Sequence, residues 1–503
     1  MEPTLELPIS IPPRGSRDRQ RALHRQLRAA IVEGRLKPGL RLPPTRELAA
    51  AYKVSRNIVV TTYDLLLSEG YLATRRGAGT FVADALPKLP ERKPSPKHTR
   101  GDKRLVDYWR RPPVVTSARL NAGARYDFHL GVPDKSLFPF DVWRRLSTRA
   151  LRAAAKTPSM YEDSQGRAGL REAIAKHVSF ARAVACGPDD IIVTTGAQQA
   201  FDLIARVLVT ARKTVVAFED PGYPRMRTIF EAADARIVHV PVDAEGIVVE
   251  KIPAQAQIIC VTPSHQFPLG VAMSAQRRAA LLELAQKRGA VVIEDDYDAE
   301  FRYGARPLDA LQTLDRAESV FYVGTFSKSL FPEIRLGFIV APSWARAALI
   351  AAKQYADWHC PALAQETLAA FIAEGHMARH VRKMRAVYAE RRAVMLASLS
   401  TDFQNIMTPV DSAAGLHLAA LAKPGIHADE LVEKALKDSV RFYSLSLFSP
   451  PNRGRSGFVF GYGTLDVRAI EEGLARLRRS LGSLKLPQSG PLKGPRRSAQ
   501  SRA

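Results

Sequence analysis

Near the front of the chain, apolar residues recur at helical spacing. Leu23, Leu27, Ala30 and Ile31 fall on one face of a helix predicted over residues 17–33, and Gly34 ends it. Two shorter helices follow. Thr45 is positioned to cap one that runs to about Tyr52, and Ser55 to cap the next, to about Glu69, with Val54-Ser55-Arg56-Asn57 as the turn between them. Residues 71–82 then read as two short strands around Arg75-Arg76-Gly77-Ala78-Gly79. Helices joined by a tight turn, the second opened by polar residues, describe a helix-turn-helix, here with a hairpin wing. From about Asp127 the pattern changes. Short β-rich runs at 191–195, 215–219, 258–262, 291–294, 320–324 and 337–340 alternate with helical stretches, which argues a mostly parallel α/β sheet covered on both faces. No internal repeat is visible.

The two patterned regions are separated by residues 84–125, where Pro87, Pro90, Pro94, Pro96, Pro112 and Pro113 are interleaved with Lys and Arg. Proline lacks a backbone donor and blocks helices, so an extended basic linker is expected. The expected organisation is a mainly α winged helix-turn-helix at 14–83, the linker at 84–125, an α/β domain at 126–484 and a disordered basic tail at 485–503. A chain of 503 residues exceeds what one core usually holds, which agrees with at least two domains. No apolar run reaches the ~18 residues of a membrane helix, and the first thirteen residues lack the basic and apolar regions of a signal peptide, so a cytoplasmic protein without membrane association is expected. Cys186, Cys260 and Cys360 lie too far apart for a disulfide framework or a metal site and read as core residues.

Charge sharpens this picture. The net charge is +24, distributed as +6 over residues 1–84, +8 over 85–125, +5 over 126–484 and +5 over 485–503. The excess sits outside the long α/β region, and a basic front end and tail suit a polyanion such as DNA. The front region also carries Gly-Arg-Leu-Lys-Pro-Gly from Gly34, then Leu-Pro-x-x-Arg-Glu-Leu-Ala, Val-Ser-Arg-Asn and Glu-Gly-Tyr-Leu in order through the segment from Leu36 to Val82. In that order and spacing it resembles the GntR-type winged helix, and the resemblance implies that Arg46, Arg56, Asn57, Arg76 and Gly77 touch duplex DNA. Arginine suits both phosphate and guanine through its flat bidentate fork.

The α/β region offers the parts a Schiff-base cofactor needs: a lysine, an acid for a ring nitrogen, a phosphate cradle and an aromatic face. Gly324-Thr325-Phe326-Ser327-Lys328 follows one expected strand, with Arg335 seven residues beyond the lysine. Ile293-Glu294-Asp295-Asp296-Tyr297 ends another. Gly196-Ala197-Gln198-Gln199 lies between a strand and a helix, where free amides make an anion site. Glu219-Asp220-Pro221-Gly222-Tyr223-Pro224-Arg225 follows a fourth strand. All lie at carboxyl ends of strands, where open α/β sheets bind ligands.

This ordered set resembles the fold-type-I pyridoxal-phosphate enzymes, and from about Leu23 to Asp466 the chain resembles the MocR-type regulators of the GntR family. The resemblance implies a multidomain protein: a winged helix-turn-helix plus an α/β aminotransferase-like domain with pyridoxal 5′-phosphate as cofactor. It assigns Lys328 to the Schiff base, Asp295 to the pyridinium nitrogen, Tyr297 to the phenolic oxygen and Tyr223 to stacking on the ring. Gly196, Ala197, Gln198, Thr325, Ser327 and Arg335 would hold the phosphate. Arg225 is a reader for an effector carboxylate. Near the carboxyl end Arg441, Arg453 and Arg455 compete for that task, beside Pro450-Pro451-Asn452. It further implies a domain-swapped homodimer, an operator site on DNA, an amine or amino-acid effector, and Tyr161 reaching the neighbouring subunit's site. One departure concerns chemistry. Plain aminotransferases carry asparagine before the Pro-x-Gly turn, supporting the phenolic oxygen; here Phe267 stands there, and His265 and Gln266 are its substitutes. Weak or absent transaminase turnover is expected. The rival reading is an amino-acid aminotransferase with an accessory DNA-binding domain; a third is a sensor of pyridoxal phosphate itself.

Overall fold

The computed structural model describes residues 9–13, 16, 18–84, 104, 106–110, 123–298, 300–304, 309–451 and 454–482. The linker prolines, Arg453 and the tail 485–503 lie outside them. Two compact units divide the chain, Met1–Thr99 and Arg100–Ala503, with the division inside the basic linker.

In the first unit, helices span Arg19–Val32, Thr45–Ala51 and Arg56–Ser68, followed by an antiparallel hairpin of β1 (Leu72–Arg75) and β2 (Gly79–Val82). Leu23, Leu27, Ile31, Val59 and Leu66 fill a core that water does not reach. The 3.6-residue apolar period therefore becomes the packed face of the first helix. Ser55 caps as expected, its Oγ accepting from the Ile58 amide at 3.4 Å. Thr45 does not cap. Pro44 holds the cap position in extended conformation, and Thr45 is already the first helical residue, where its hydroxyl makes no cap bond. The Tyr63 hydroxyl donates to the Pro43 carbonyl at 2.9 Å and fixes that entry.

The second unit is built on eight strands in the order β4 (Ile191–Thr194), β11 (Gly337–Val340), β10 (Val320–Thr325), β9 (Val291–Asp296), β8 (Ile258–Val261), β5 (Val215–Asp220), β6 (Arg236–Asp243) and β7 (Gly246–Ile247). Pairing is parallel from β10 through β6, while β11 runs antiparallel to both its neighbours and β7 to β6. Strands β4, β11, β10 and β8 are buried along their length, as expected for a sheet covered on both faces. A four-stranded antiparallel sheet, β12 (Met407–Pro409), β13 (His417–Ala422), β16 (Gly457–Gly461) and β15 (Tyr443–Ser444), packs with helices His376–Thr401 and Val467–Gly482. Two further short strands, β3 (Tyr126–Asp127) and β14 (Val440–Arg441), pair in parallel and tie the start of the domain to this end. All three cysteines are free; Cys260 and Cys360 are core residues, but Cys186 is only half-buried.

The linker is not extended throughout. Asp107–Arg110 forms a 3-10 turn in a stretch without proline. The rings of Tyr108 and Trp109 meet edge-on at 5.1 Å, and the Tyr108 hydroxyl reaches the Thr228 carbonyl at 3.4 Å. Among the described residues no helix is long and apolar enough to cross a membrane.

Candidate cofactor site and nucleic-acid interface

Three glycines shape the floor of the candidate cofactor site. A Cβ on Gly337 would lie 2.8 Å from the Gly324 carbonyl and 2.9 Å from the Gly196 Cα, so only hydrogen allows these strand ends to meet. Lys328 follows β10 in the turn that this approach creates. Its Nζ donates to the Gly131 carbonyl at 2.6 Å. Burial lowers its affinity for a proton, and the carboxylates of Asp298 and Asp295 oppose that only in part. A lysine depressed in this way keeps a larger neutral, nucleophilic fraction than a surface lysine.

Asp295 is one of the last residues of β9 and is 4 % exposed. Burial and the adjacent Asp296 push its carboxyl well above the usual carboxylate range, and its Oδ1 has no hydrogen-bond partner among the described residues. Such an atom has an open hydrogen-bonding position that a cationic N–H would fill. Tyr223, at the start of the Pro224–Ala232 helix, is pushed up to about 12 by burial and by Asp295. Its ring meets Phe267 edge-on at 5.5 Å.

Gly196, at φ +82°, opens the helix Ala197–Leu208. Arg335, itself in the left-handed region at φ +49°, donates to the Thr195 carbonyl at 2.7 Å, and its guanidinium would sit 3.0 Å from a Cβ on Gly196. Ser327 Oγ and Gln198 Oε1 are buried without a partner among the described residues, and Thr325 Oγ1 accepts from the Ser327 amide at 3.2 Å. An arginine, a helix amino terminus and unpaired polar atoms together fit a phosphate. With the acid, the aromatic ring and the lysine, they fit pyridoxal phosphate as a whole.

The turn before Pro268 separates its two expected substitutes. Gln266 faces away from Tyr297: its amide donates to the Pro221 carbonyl at 2.8 Å and to the Phe267 carbonyl at 2.7 Å. His265 faces Tyr297, with Nδ1 3.0 Å from the phenolic oxygen and 3.1 Å from both carboxylate oxygens of Asp298. Asp298 was not singled out by sequence reasoning, although it stands three residues after Asp295 in the same acidic run. Phe267 packs among Tyr223, Tyr297, His417 and Phe448.

The arginines differ in availability. Arg225, on the first turn of its helix, is exposed, and its charge acts on both Lys328 and Tyr223. Arg441 is buried in an ion pair with Asp127 at 3.0 Å. Arg455 donates to the Val242 carbonyl at 2.9 Å. Tyr161 is 74 % exposed and stacks on Trp358 at 4.4 Å.

In the first unit Arg46, Arg56, Asn57, Arg76 and Gly77 are all exposed. Arg56 Nε contacts Thr45 Oγ1 at 3.5 Å, which sets the starts of two helices side by side. Arg76 and Gly77 form the hairpin tip, where Gly77 adopts φ +77°. The neighbouring Arg75 is held back by Asp84 at 3.1 Å and by the Phe81 ring at 4.7 Å.

Fold and site together define a two-part regulator, a winged helix joined to an aminotransferase-type domain of the pyridoxal-phosphate class. The family model for bacterial regulatory proteins of the gntR family matches residues 19–82, and that for aminotransferase class I and II matches residues 128–458. The chain is similar to the probable rhizopine catabolism regulatory protein MocR of Rhizobium meliloti, 37% identical over 94% of this chain and 95% of the relative. It is also similar to the pyridoxine biosynthesis transcriptional regulator PdxR of Corynebacterium glutamicum, 31% identical over 94% of this chain and 98% of the relative. Among solved structures it resembles the α-aminoadipate aminotransferase LysN of Thermus thermophilus, complexed with N-(5′-phosphopyridoxyl)-L-leucine. That match has a TM-score of 0.69 and 29% identity, covering 75% of this chain and 97% of that one. The chain belongs to the MocR-type transcription regulators of the GntR family.

Proposed function

We propose that this regulator binds pyridoxal 5′-phosphate at Lys328, and that the cofactor, together with an amine or amino-acid effector, controls its grip on an operator. The observation that carries the reading is the buried constellation around Lys328, with Asp295 Oδ1 unpartnered among the described residues, in a chain whose other folded unit exposes arginines at two helix starts and a wing tip. When bound, the cofactor supplies an aldehyde that links reversibly to Lys328 or to an incoming primary amine. Asp295 would keep the ring nitrogen cationic, Tyr297 would donate to the phenolic oxygen, and Tyr223 would stack on the ring. Gly196, Ala197, Gln198, Thr325, Ser327 and Arg335 would hold the phosphate. Arg225 would meet a carboxylate on the effector.

The working form is a homodimer with each winged helix swapped over its partner's large domain, which lets two heads read two half-sites through tethering. Exposed Tyr161 is available to the partner's site in that arrangement. PdxR and MocR are named for pyridoxine biosynthesis and rhizopine catabolism, so the names of relatives alone do not choose between a cofactor signal and another effector. The test is an operator-binding titration with pyridoxal phosphate alone, then with a panel of amines and amino acids. An affinity change on cofactor addition, altered again by one class of amine, is expected. Rapid multiple turnover with amino donor and keto acid, without any effect on DNA binding, would overturn the reading in favour of an enzyme.

A further inference from the structure

The pocket contains one polar pair that the cofactor roles leave unexplained. His265 and Asp298 are 2 % and 1 % exposed. The fold makes room for the imidazole with two glycines, both at φ +82°. A Cβ on Gly415 would lie 1.9 Å from His265 Cε1 and 2.6 Å from Asp298 Oδ2, and one on Gly270 would lie 3.2 Å from His265 Nε2. Nothing larger than hydrogen is compatible with the ring at the first position. The Nε2 atom is buried and has no partner among the described residues, so the ring's hydrogen bonding runs through Nδ1.

A buried carboxylate needs a donor. The Nδ1 proton therefore points to Asp298, at 3.1 Å from either oxygen. That leaves the Tyr297 hydroxyl, 3.0 Å from the same nitrogen, to keep its own proton for donation; here it gives it to the His265 carbonyl at 3.1 Å. The phenol is thus fixed in place and keeps its own proton, which is engaged with that carbonyl here and passes to an acceptor in the site when one is bound. The charge of Asp298, like that of Asp295, opposes the effect of burial on Lys328, with Arg225 and Arg335 acting the other way. Tyr303 and Tyr462 face Asp298 from the other elements around it. His417 faces His265 at 4.7 Å between ring centroids and is itself engaged with the Pro268 carbonyl at 3.1 Å.

We infer that His265 and Asp298 form a positioning dyad that fixes the Tyr297 hydroxyl and sets the charge at Lys328 Nζ, standing in for the asparagine that the turn before Pro268 lacks. The inference rests on Lys328 carrying the cofactor. The atoms of His265, Asp298 and His417 also lie within 4.8 Å of one another, as metal ligands can. Both imidazoles already face oxygen acceptors, which favours the hydrogen-bonded arrangement.

The test uses the full chain loaded with pyridoxal phosphate and follows the pH midpoint of its visible absorbance. Asp298→Asn, nearly isosteric, removes a negative charge that favours the protonated lysine nitrogen, so the midpoint falls by about one pH unit. His265→Ala deprives Asp298 of the donor that holds its carboxylate against the site, and the midpoint falls in the same direction. The double variant moves it no further than either single one, because both act through one charge. His265→Asn, which retains an N–H donor, restores most of the wild-type midpoint. An unmoved midpoint in Asp298→Asn, two shifts that add, or a midpoint that responds to zinc or to a chelator would overturn the dyad. Borohydride trapping separates the two levels: a wild-type protein labelled at Lys328 with unmoved midpoints sinks only the dyad, whereas no label at Lys328 sinks the cofactor reading beneath it.

Discussion

The two units of this chain hold their functional groups under opposite physical conditions. In the winged helix, Arg46, Arg56 and Arg76 stand in water, where an unpaired charge costs little and acts at a range that salt can screen. Around Lys328, an amine, the carboxyls of Asp295 and Asp298, and Ser327 Oγ and Gln198 Oε1, which have no partner among the described residues, are held away from water, where each unsatisfied atom costs on the order of 1–3 kcal/mol. The first region is complete without its ligand, whereas the second is completed by its occupant. Interaction with DNA should therefore be graded and salt-dependent, and interaction with the cofactor close to all-or-none at a single atom.

The sharpest way to break that comparison is Lys328→Ala. Absorbance spectroscopy should show complete loss of the visible band, and borohydride reduction with peptide mapping should find no label, while circular dichroism stays that of the folded protein. Retained label at another lysine would mean that the site is built around the wrong amine.

How far each region can be read from sequence follows from the same contrast. The six strand runs that carry the site's motifs are continuous apolar stretches because both faces of the sheet are covered, and all six are strands. The strands β12 to β16 left little trace: Val440–Arg441 and Tyr443–Ser444 are two residues long, and His417–Ala422 opens on a histidine and is half alanine, a weak strand former. At the cap of the second helix, two prolines outweighed the threonine that side-chain preference favours. Gln266 and His265 stood side by side as substitutes for one asparagine, and only the fold turned one toward Pro221 and the other toward Tyr297. Arg75 and Arg76 are likewise equivalent in sequence, yet Asp84 and Phe81 claim the first. Neighbouring residues with the same chemistry are separated by backbone direction, which composition and spacing do not encode.

Within the winged helix a second contrast predicts a smaller effect. Arg56 opens the Arg56–Ser68 helix and is steadied by Thr45, so its fork is directed rather than free. An arginine directed in this way at a helix start is suited to reading base edges, and Arg56→Ala should weaken binding to a specific operator by about 1–3 kcal/mol. Titrations on operator and on scrambled duplex check this. Equal weakening on both would assign Arg56 to phosphate.

Arg76 should show the smallest effect and the different signature. It sits at the hairpin tip beside Gly77, with no hydrogen bond or ion pair to direct it among the described residues, which suits a backbone contact rather than base recognition. Such a contact releases a counterion on binding without discriminating among sequences. Arg76→Ala should therefore weaken operator and scrambled duplex alike, and the slope of log affinity against log salt should become shallower by about one, the amount expected for one phosphate contact. A slope that stays at the wild-type value, combined with loss confined to the operator, would move Arg76 into the groove and make the wing a reader of sequence.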